Sequence, residues 1–154
     1  MQRAQRNFPG ITFVASLEPA LVDGVPERLG RAINNLLDNA ARHSPPDGTV
    51  EIDVGSEGVR VRDHGRGVDE ADLPHVFDRF YRGARSRGRQ GSGLGLSIVR
   101  QVAEQHGGSV GVANAPDGGA VFTVTLPVSS LSGSGWPRDP SLARDPEPVA
   151  QKPE

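Results

Sequence analysis

From Leu29 to Ala40, apolar side chains recur at helical spacing inside a segment that is fenced at both ends, so this stretch must form an amphipathic helix. Such a helix needs a second layer to cover it. Leu29, Ala32, Ile33, Leu36, Leu37 and Ala40 share one face. Pro26 suits a first helical turn, and Ser44-Pro45-Pro46-Asp47-Gly48 ends the helix after about His43. A second helix carries Leu94, Ile98, Val99, Val102 and Ala103 on one face and closes at His106-Gly107-Gly108. Around these lie strands at Ile11–Ala15, at Val50–Val54 and Val59–Val61 about the turn Ser56-Glu57-Gly58, and at Val110–Val112 and Val121–Leu126. The order strand, helix, strand pair, polar stretch, helix, strand pair predicts an α+β fold. Its architecture is a two-layer α/β sandwich, with helices covering one face of a mixed sheet.

The stretch from Asp63 to Gly93 is rich in Gly and Arg and is broken only by Val76, Phe77, Phe80 and Tyr81. A loop of that length in a compact domain points to a functional lid or to a disordered segment. Residues 1–10 read as a linker remnant, opening so abruptly on polar residues that the chain looks like a piece of something larger. Residues 11–128 read as the domain proper. Residues 129–154, rich in Pro and Ser, read as a disordered tail, in which Trp136 has no evident role. There are 20 Gly and 13 Pro, which lowers the hydrophobic share to 35% without forbidding a core. A net charge of −2 gives no footprint for nucleic acid. The absence of cysteine excludes disulfides, thiolate metal sites and cysteine nucleophiles. No apolar run approaches the roughly 20 residues of a membrane helix.

Three segments carry chemistry. On the first helix Asn35, Asn39, Arg42 and His43 form one stripe at the edge of the apolar face. A carboxamide oxygen is a hard neutral ligand suited to Mg²⁺, and a cation one turn further on can meet phosphate. A solvated helix flank is the plain alternative, but Asn is a poor helix former, and two at i, i+4 beside a core imply a task. Asp63-His64-Gly65-Arg66-Gly67 follows a strand directly. A carboxylate there can accept a hydrogen bond from an exocyclic amine such as that of adenine, although for this segment taken alone a tight turn is the better reading. Gly91-Ser92-Gly93-Leu94-Gly95-Leu96-Ser97 opens the second helix, where free N–H groups and the helix dipole favour an anion. It lacks the Lys-Ser/Thr of a P-loop and the third glycine of a dinucleotide fingerprint, and a flexible hinge is its plain reading.

Taken together, these segments resemble sensor histidine kinases. Asn35–Ser44 (NLLDNAARHS) is similar to their N box, Asp63–Gly67 to the first glycine box, Phe77–Arg82 (FDRFYR) to the F box and Gly91–Val99 (GSGLGLSIV) to the second glycine box. Gly118–Phe122 is similar to the closing Gly-rich turn and strand. The resemblance runs in order over residues 11–127. It implies the Bergerat ATP-binding fold of the GHKL superfamily, which also holds gyrase, Hsp90 and MutL relatives. By that likeness ATP and Mg²⁺ are the expected ligands. Asn39 would hold the metal with Asn35 in support, and Arg42 and His43 would touch phosphates, Asn39 and Arg42 serving catalysis. Asp63 would read the adenine amine, and Gly65, Gly67 and Val68 would line the base pocket. Gly91, Ser92, Gly93, Leu94, Gly95 and Leu96 would cradle the phosphates. Phe77 and Arg82, with Arg85, Arg87 and Arg89, would belong to the mobile ATP lid.

Hydrolysing relatives, and soluble serine kinases of this superfamily, carry a Glu one turn before the metal Asn. Here that position is Asn35, and a carboxamide cannot take a proton, which favours a histidine kinase over an ATPase. A silent nucleotide-sensing module and a structural domain that binds no nucleotide are the rival readings. The histidines are His43, His64, His75 and His106, none in the His-Glu-x-x-x-Pro setting of a phosphoacceptor helix. The expected partners are therefore a phosphoacceptor and dimerisation domain outside this chain and a response regulator. The isolated domain is expected to be a monomer, and the parent a membrane-anchored protein with this part in the cytoplasm.

Overall fold

The computed structural model describes residues 2–83 and 92–128. Its elements are α1 (Gln2–Asn7), β1 (Thr12–Leu17), α2 (Pro26–His43), β2 (Thr49–Gly55), β3 (Gly58–Asp63), α3 (Gly95–Gln105), β4 (Ser109–Asn114) and β5 (Ala120–Thr125), with one 3-10 turn at Leu73–His75. The five strands form one sheet in the order β1-β2-β3-β5-β4. β1 runs parallel to β2, because α2 carries the chain back to the starting edge, and every other pair is antiparallel. The fold is the α+β sandwich, with a mixed sheet, that the apolar periodicity predicts.

Alternation along the strands decides which face is covered. Val50 and Ile52 of β2, Val59 and Val61 of β3 and Ala120, Phe122 and Val124 of β5 point to the core. There they meet Leu36, Leu37 and Ala40 of α2 and Val99, Val102 and Ala103 of α3. Full burial of each large aliphatic side chain contributes about 1.5–3 kcal/mol, so this layer holds the fold together. Among the described residues no helix covers the other face. Across it Glu51 stands opposite Arg62 and Asp53 opposite Arg60, opposite charges paired across strands.

Local chemistry sets the ends of the helices. Pro26 occupies the first turn of α2. At its far end the Ser44 amide and hydroxyl both donate to the Ala40 carbonyl, at 2.9 and 3.0 Å, and Pro45 and Pro46 forbid continuation. α3 ends where the Gly108 amide folds back to the Ala103 carbonyl at 2.8 Å. His106 then ties the helices together. Its Nε2 accepts from the Val25 amide at 3.1 Å, so its Nδ1 carries the proton donated to Val102 O at 2.7 Å. Within the stretch that reads as a linker, Gln2–Asn7 form α1. Its Ala4 is fully buried and its Arg3 lies 3.6 Å from Asp38 of α2. No helix among the described residues is long and apolar enough to cross a membrane.

Candidate functional site

α2 is the spine of the site. Asn35 and Asn39 are half-buried on one flank, and Arg42 and His43 are exposed near its end. The Asn35 Nδ2 is buried without a hydrogen-bond partner among the described residues. Burying a carboxamide N–H unpaired costs about 1–3 kcal/mol, so that position implies a ligand or water supplied from outside the protein.

Two glycines bring other segments against this flank. A Cβ at Gly65 would run into the His43 carbonyl, so only glycine lets the loop after β3 lie on the end of α2. A Cβ at Gly95 would lie 3.9 Å from Cβ and Cγ of Asn35, which sets the start of α3 beside the other end of the stripe. Asn35 and His43 are eight residues apart, roughly 12 Å along a helix. The polar stripe of α2 therefore has the loop after β3 at one end, the α3 N-terminus at the other, and Asn39 between them. No side chain caps α3 at Leu94, so its first-turn N–H groups stay available to an anion.

Asp63 closes β3 and is only 1% exposed. Its Oδ1 accepts from the Gly65 amide at 2.9 Å and from the Ala120 amide at 3.3 Å. Both bonds fall on one oxygen, and Oδ2 accepts none among the described residues. Gly67 and Val68 follow, Val68 held by its backbone to Asn114 of β4.

The segment that reads as the start of a lid is anchored. Phe77 turns inward and meets the Phe122 ring edge-on, with centroids 6.2 Å apart. Tyr81 donates to Asp72 at 2.7 Å, and Arg79 to Gln101 of α3 at 3.3 Å. Asp78 lies 3.0 Å from His75 and 3.7 Å from Arg100 of α3. The Phe80 amide donates to the Gly93 carbonyl at 3.1 Å, while the Phe80 ring stands 70% exposed. Arg82 is half-buried nearby in sequence. Ser92 is exposed, and Gly93, Leu94, Gly95 and Leu96 are half-buried at the α3 start. Gly91, Arg85, Arg87 and Arg89, like Trp136 and the tail, lie outside the described residues.

The structure thus sets Gly65 against the end of α2 at His43 and Gly95 beside Asn35, with Asp63 bonded to the Gly65 amide. It also adds partners that the sequence alone does not suggest. The Ala120 amide is a backbone group, which no side-chain motif can report. Asn114 stands in a strand that reads only as alternation. No group of three or more His, Cys, Asp or Glu that could hold a metal occurs among the described residues.

Residues 24–130 match the model of the histidine kinase-, DNA gyrase B- and HSP90-like ATPase family. The chain is 49% identical to the signal transduction histidine-protein kinase AfsQ2 of Streptomyces coelicolor, over 66% of this chain and 20% of that protein. It is 39% identical to the histidine-protein kinase/phosphatase MprB of a Mycobacterium species, over 96% of this chain and 31% of that protein. The chain therefore spans at most about a third of those two relatives. A third, sensor histidine kinase component HK1 of Mycobacterium tuberculosis, is 41% identical and is matched over 77% of this chain and 72% of its own length. Among solved structures, the mycobacterial sensor histidine kinase MprB superposes with a TM-score of 0.77 at 37% identity, covering 82% of this chain and 90% of that one.

Proposed function

Because the chain belongs to the histidine kinase-, DNA gyrase B- and HSP90-like ATPase family and is an ATP-binding catalytic domain of the histidine-kinase kind, we propose that it presents the γ-phosphate of Mg-ATP to a histidine on a separate phosphoacceptor domain. The observation that carries this reading is Asp63: a buried carboxylate whose two hydrogen bonds fall on one oxygen, with none on the other among the described residues. An exocyclic amine such as that of adenine is the donor it lacks.

Along the groove, Asn39 supplies a neutral hard oxygen, Arg42 a cation and the start of α3 its amides. Mg²⁺ fits this donor set as an ion carried in on the triphosphate, since the described residues hold no acidic cage; when bound it neutralises phosphate charge. The protein's share of catalysis is then positioning and electrostatic stabilisation. Asn35 cannot act as a general base, so water is not activated from that position.

A histidine is expected in trans. All four histidines lie in the described residues; His64 bonds with Glu51, His75 with Asp78, and His106 with Val25 and Val102. The relative named as a component of a sensor histidine kinase fits a division of labour between chains. By the same family likeness a response regulator receives the phosphoryl group, and the parent protein is anchored in a membrane.

Calorimetry with a non-hydrolysable ATP analogue tests the site. Binding is expected to weaken without Mg²⁺ or in Asn39→Ala, and to be lost in Asp63→Ala. No heat from the unaltered chain would sink the reading. With γ-labelled ATP the chain alone is expected to stay unlabelled and to label an added histidine-bearing acceptor domain; label on the chain itself contradicts transfer in trans.

A further inference from the structure

The loop that carries the base-reading carboxylate is held from behind by the β4–β5 hairpin. Asn114, the last residue of β4, meets both backbone groups of Val68: Nδ2 donates to the Val68 carbonyl at 2.7 Å, and Oδ1 accepts from the Val68 amide at 2.8 Å. A carboxamide offers one donor and one acceptor side by side, so the side chain imitates the neighbouring strand of an antiparallel pair. It extends the ladder beyond the end of β4, to a loop no strand reaches. A Cβ at Gly67 would sit 2.6 Å from the same Oδ1, which shows how closely the two segments are fitted.

The rest of the hairpin acts on the other end of the loop. Ala120 donates to Asp63 Oδ1 at 3.3 Å. Gly119, at φ +84°, lies so near the Asp63 carbonyl that a Cβ there would collide with it. The turn is internally braced, with Ala115 N–H to Gly119 O and Gly118 N–H to Ala115 O both at 3.0 Å. Its tip is tied to β3 by Arg62 and Asp117 at 2.6 Å. Asp63 and Val68 are thus fixed at both ends of one loop by one hairpin, and Asn114 is its only side chain that grips the Val68 end through two bonds among the described residues.

We propose that Asn114 is a positioning residue for purine selection: through Val68 it fixes the loop Asp63–Val68 at the spacing an adenine ring requires, and so sets preference for adenine over guanine without touching the nucleotide. This rests on the ATP-site reading above. Its distinguishing consequence is that Asn114 governs the base end of the groove and leaves the triphosphate end untouched.

Calorimetry on the full chain tests this with ATP, GTP and inorganic tripolyphosphate. Asn114→Ala is expected to weaken ATP binding about tenfold, on the scale of roughly one hydrogen bond's net contribution. Preference for ATP over GTP should narrow by a similar factor, while tripolyphosphate binds as before. Asn114→Asp keeps the acceptor for the Val68 amide and loses the donor to its carbonyl, so it should fall between Asn114→Ala and the unaltered chain. Hydrogen exchange at the Val68 and Gly65 amides should quicken in both variants, while the β2 and β3 amides keep their protection. Unchanged ATP and GTP binding in Asn114→Ala overturns the inference, as does an equal loss of ATP and tripolyphosphate, which would mark a general loosening. If Asn114→Ala does not fold, Asn114→Asp decides on the same criteria. Failure of the unaltered chain to bind ATP at all would instead remove the nucleotide reading and this inference with it.

Discussion

Arg62 and Asp117 meet at 2.6 Å, and this pairing bears on how the carboxyl holds its proton. The hydrogen bond from the Arg62 guanidinium, aided by the charge of Arg62, holds the Asp117 carboxyl below the usual carboxylate range. Folding thereby lowers this group's affinity for a proton. Its contribution to stability is present above the unfolded value and is lost as pH falls through the lower folded one. Both groups are solvated, so the contribution is small, and the titration itself is the better readout. Carboxyl-carbon NMR should give Asp117 a midpoint below that of a free aspartate, and Arg62→Gln should return it to the ordinary range; an unmoved midpoint contradicts the pairing. Such contacts show why parts of the site are illegible in a linear chain. Asp63 announces itself by standing before two spaced glycines. The amides that lock its Oδ1, and the carboxamide that clamps Val68, are separated from it or its loop by up to 57 positions and carry no signature of their own.

At the scale of elements, helices are legible because burial writes a period into them. α2 ends at the residues its flanking prolines indicate, and β2 and β3 fall where apolar and polar residues alternate. The segment from Asp69 to Tyr81 is different. Its polar composition says loop, yet it is pinned to α3 and to the core by Phe77, Arg79 and Asp78. One inward aromatic among many charges has no periodicity to betray it. The physical ranking of these pins gives a prediction. Phe77→Ala removes a ring from the edge of the core and should cost about 2–3 kcal/mol in urea unfolding. Arg100→Ala removes solvated ion pairs with Asp78 and Glu104 and should cost less than about 1 kcal/mol. Equal losses would mean that charge, and not the ring, holds the segment. Nucleotide affinity should fall more in Phe77→Ala, since Phe80, whose amide bonds to Gly93 just before α3, lies close to Phe77 in the chain.

On the scale of the whole molecule, the polar opening of the chain is part of the packed body. Ala4 is fully buried, Gln5 donates to the Ile11 carbonyl at 3.0 Å and Arg3 stands beside Asp38. A chain starting after Asn7 should be less stable by about 1–2 kcal/mol, read as a lower urea midpoint; an unchanged midpoint would make α1 an appendage. The sheet order has a consequence of another kind. β5 comes last along the chain but sits in the interior of the sheet, between β3 and β4. On a ribosome, α2 and the β2–β3 hairpin emerge early, yet β3 keeps an unpaired edge until Thr125 is made. Only then can the long-range pairing, which sets the pace of folding, take place. Ala120 on that same strand supplies the second bond to Asp63. A nascent chain therefore gains the second bond to Asp63 in the same event that closes its sheet, and until then the carboxylate is held by the Gly65 amide alone.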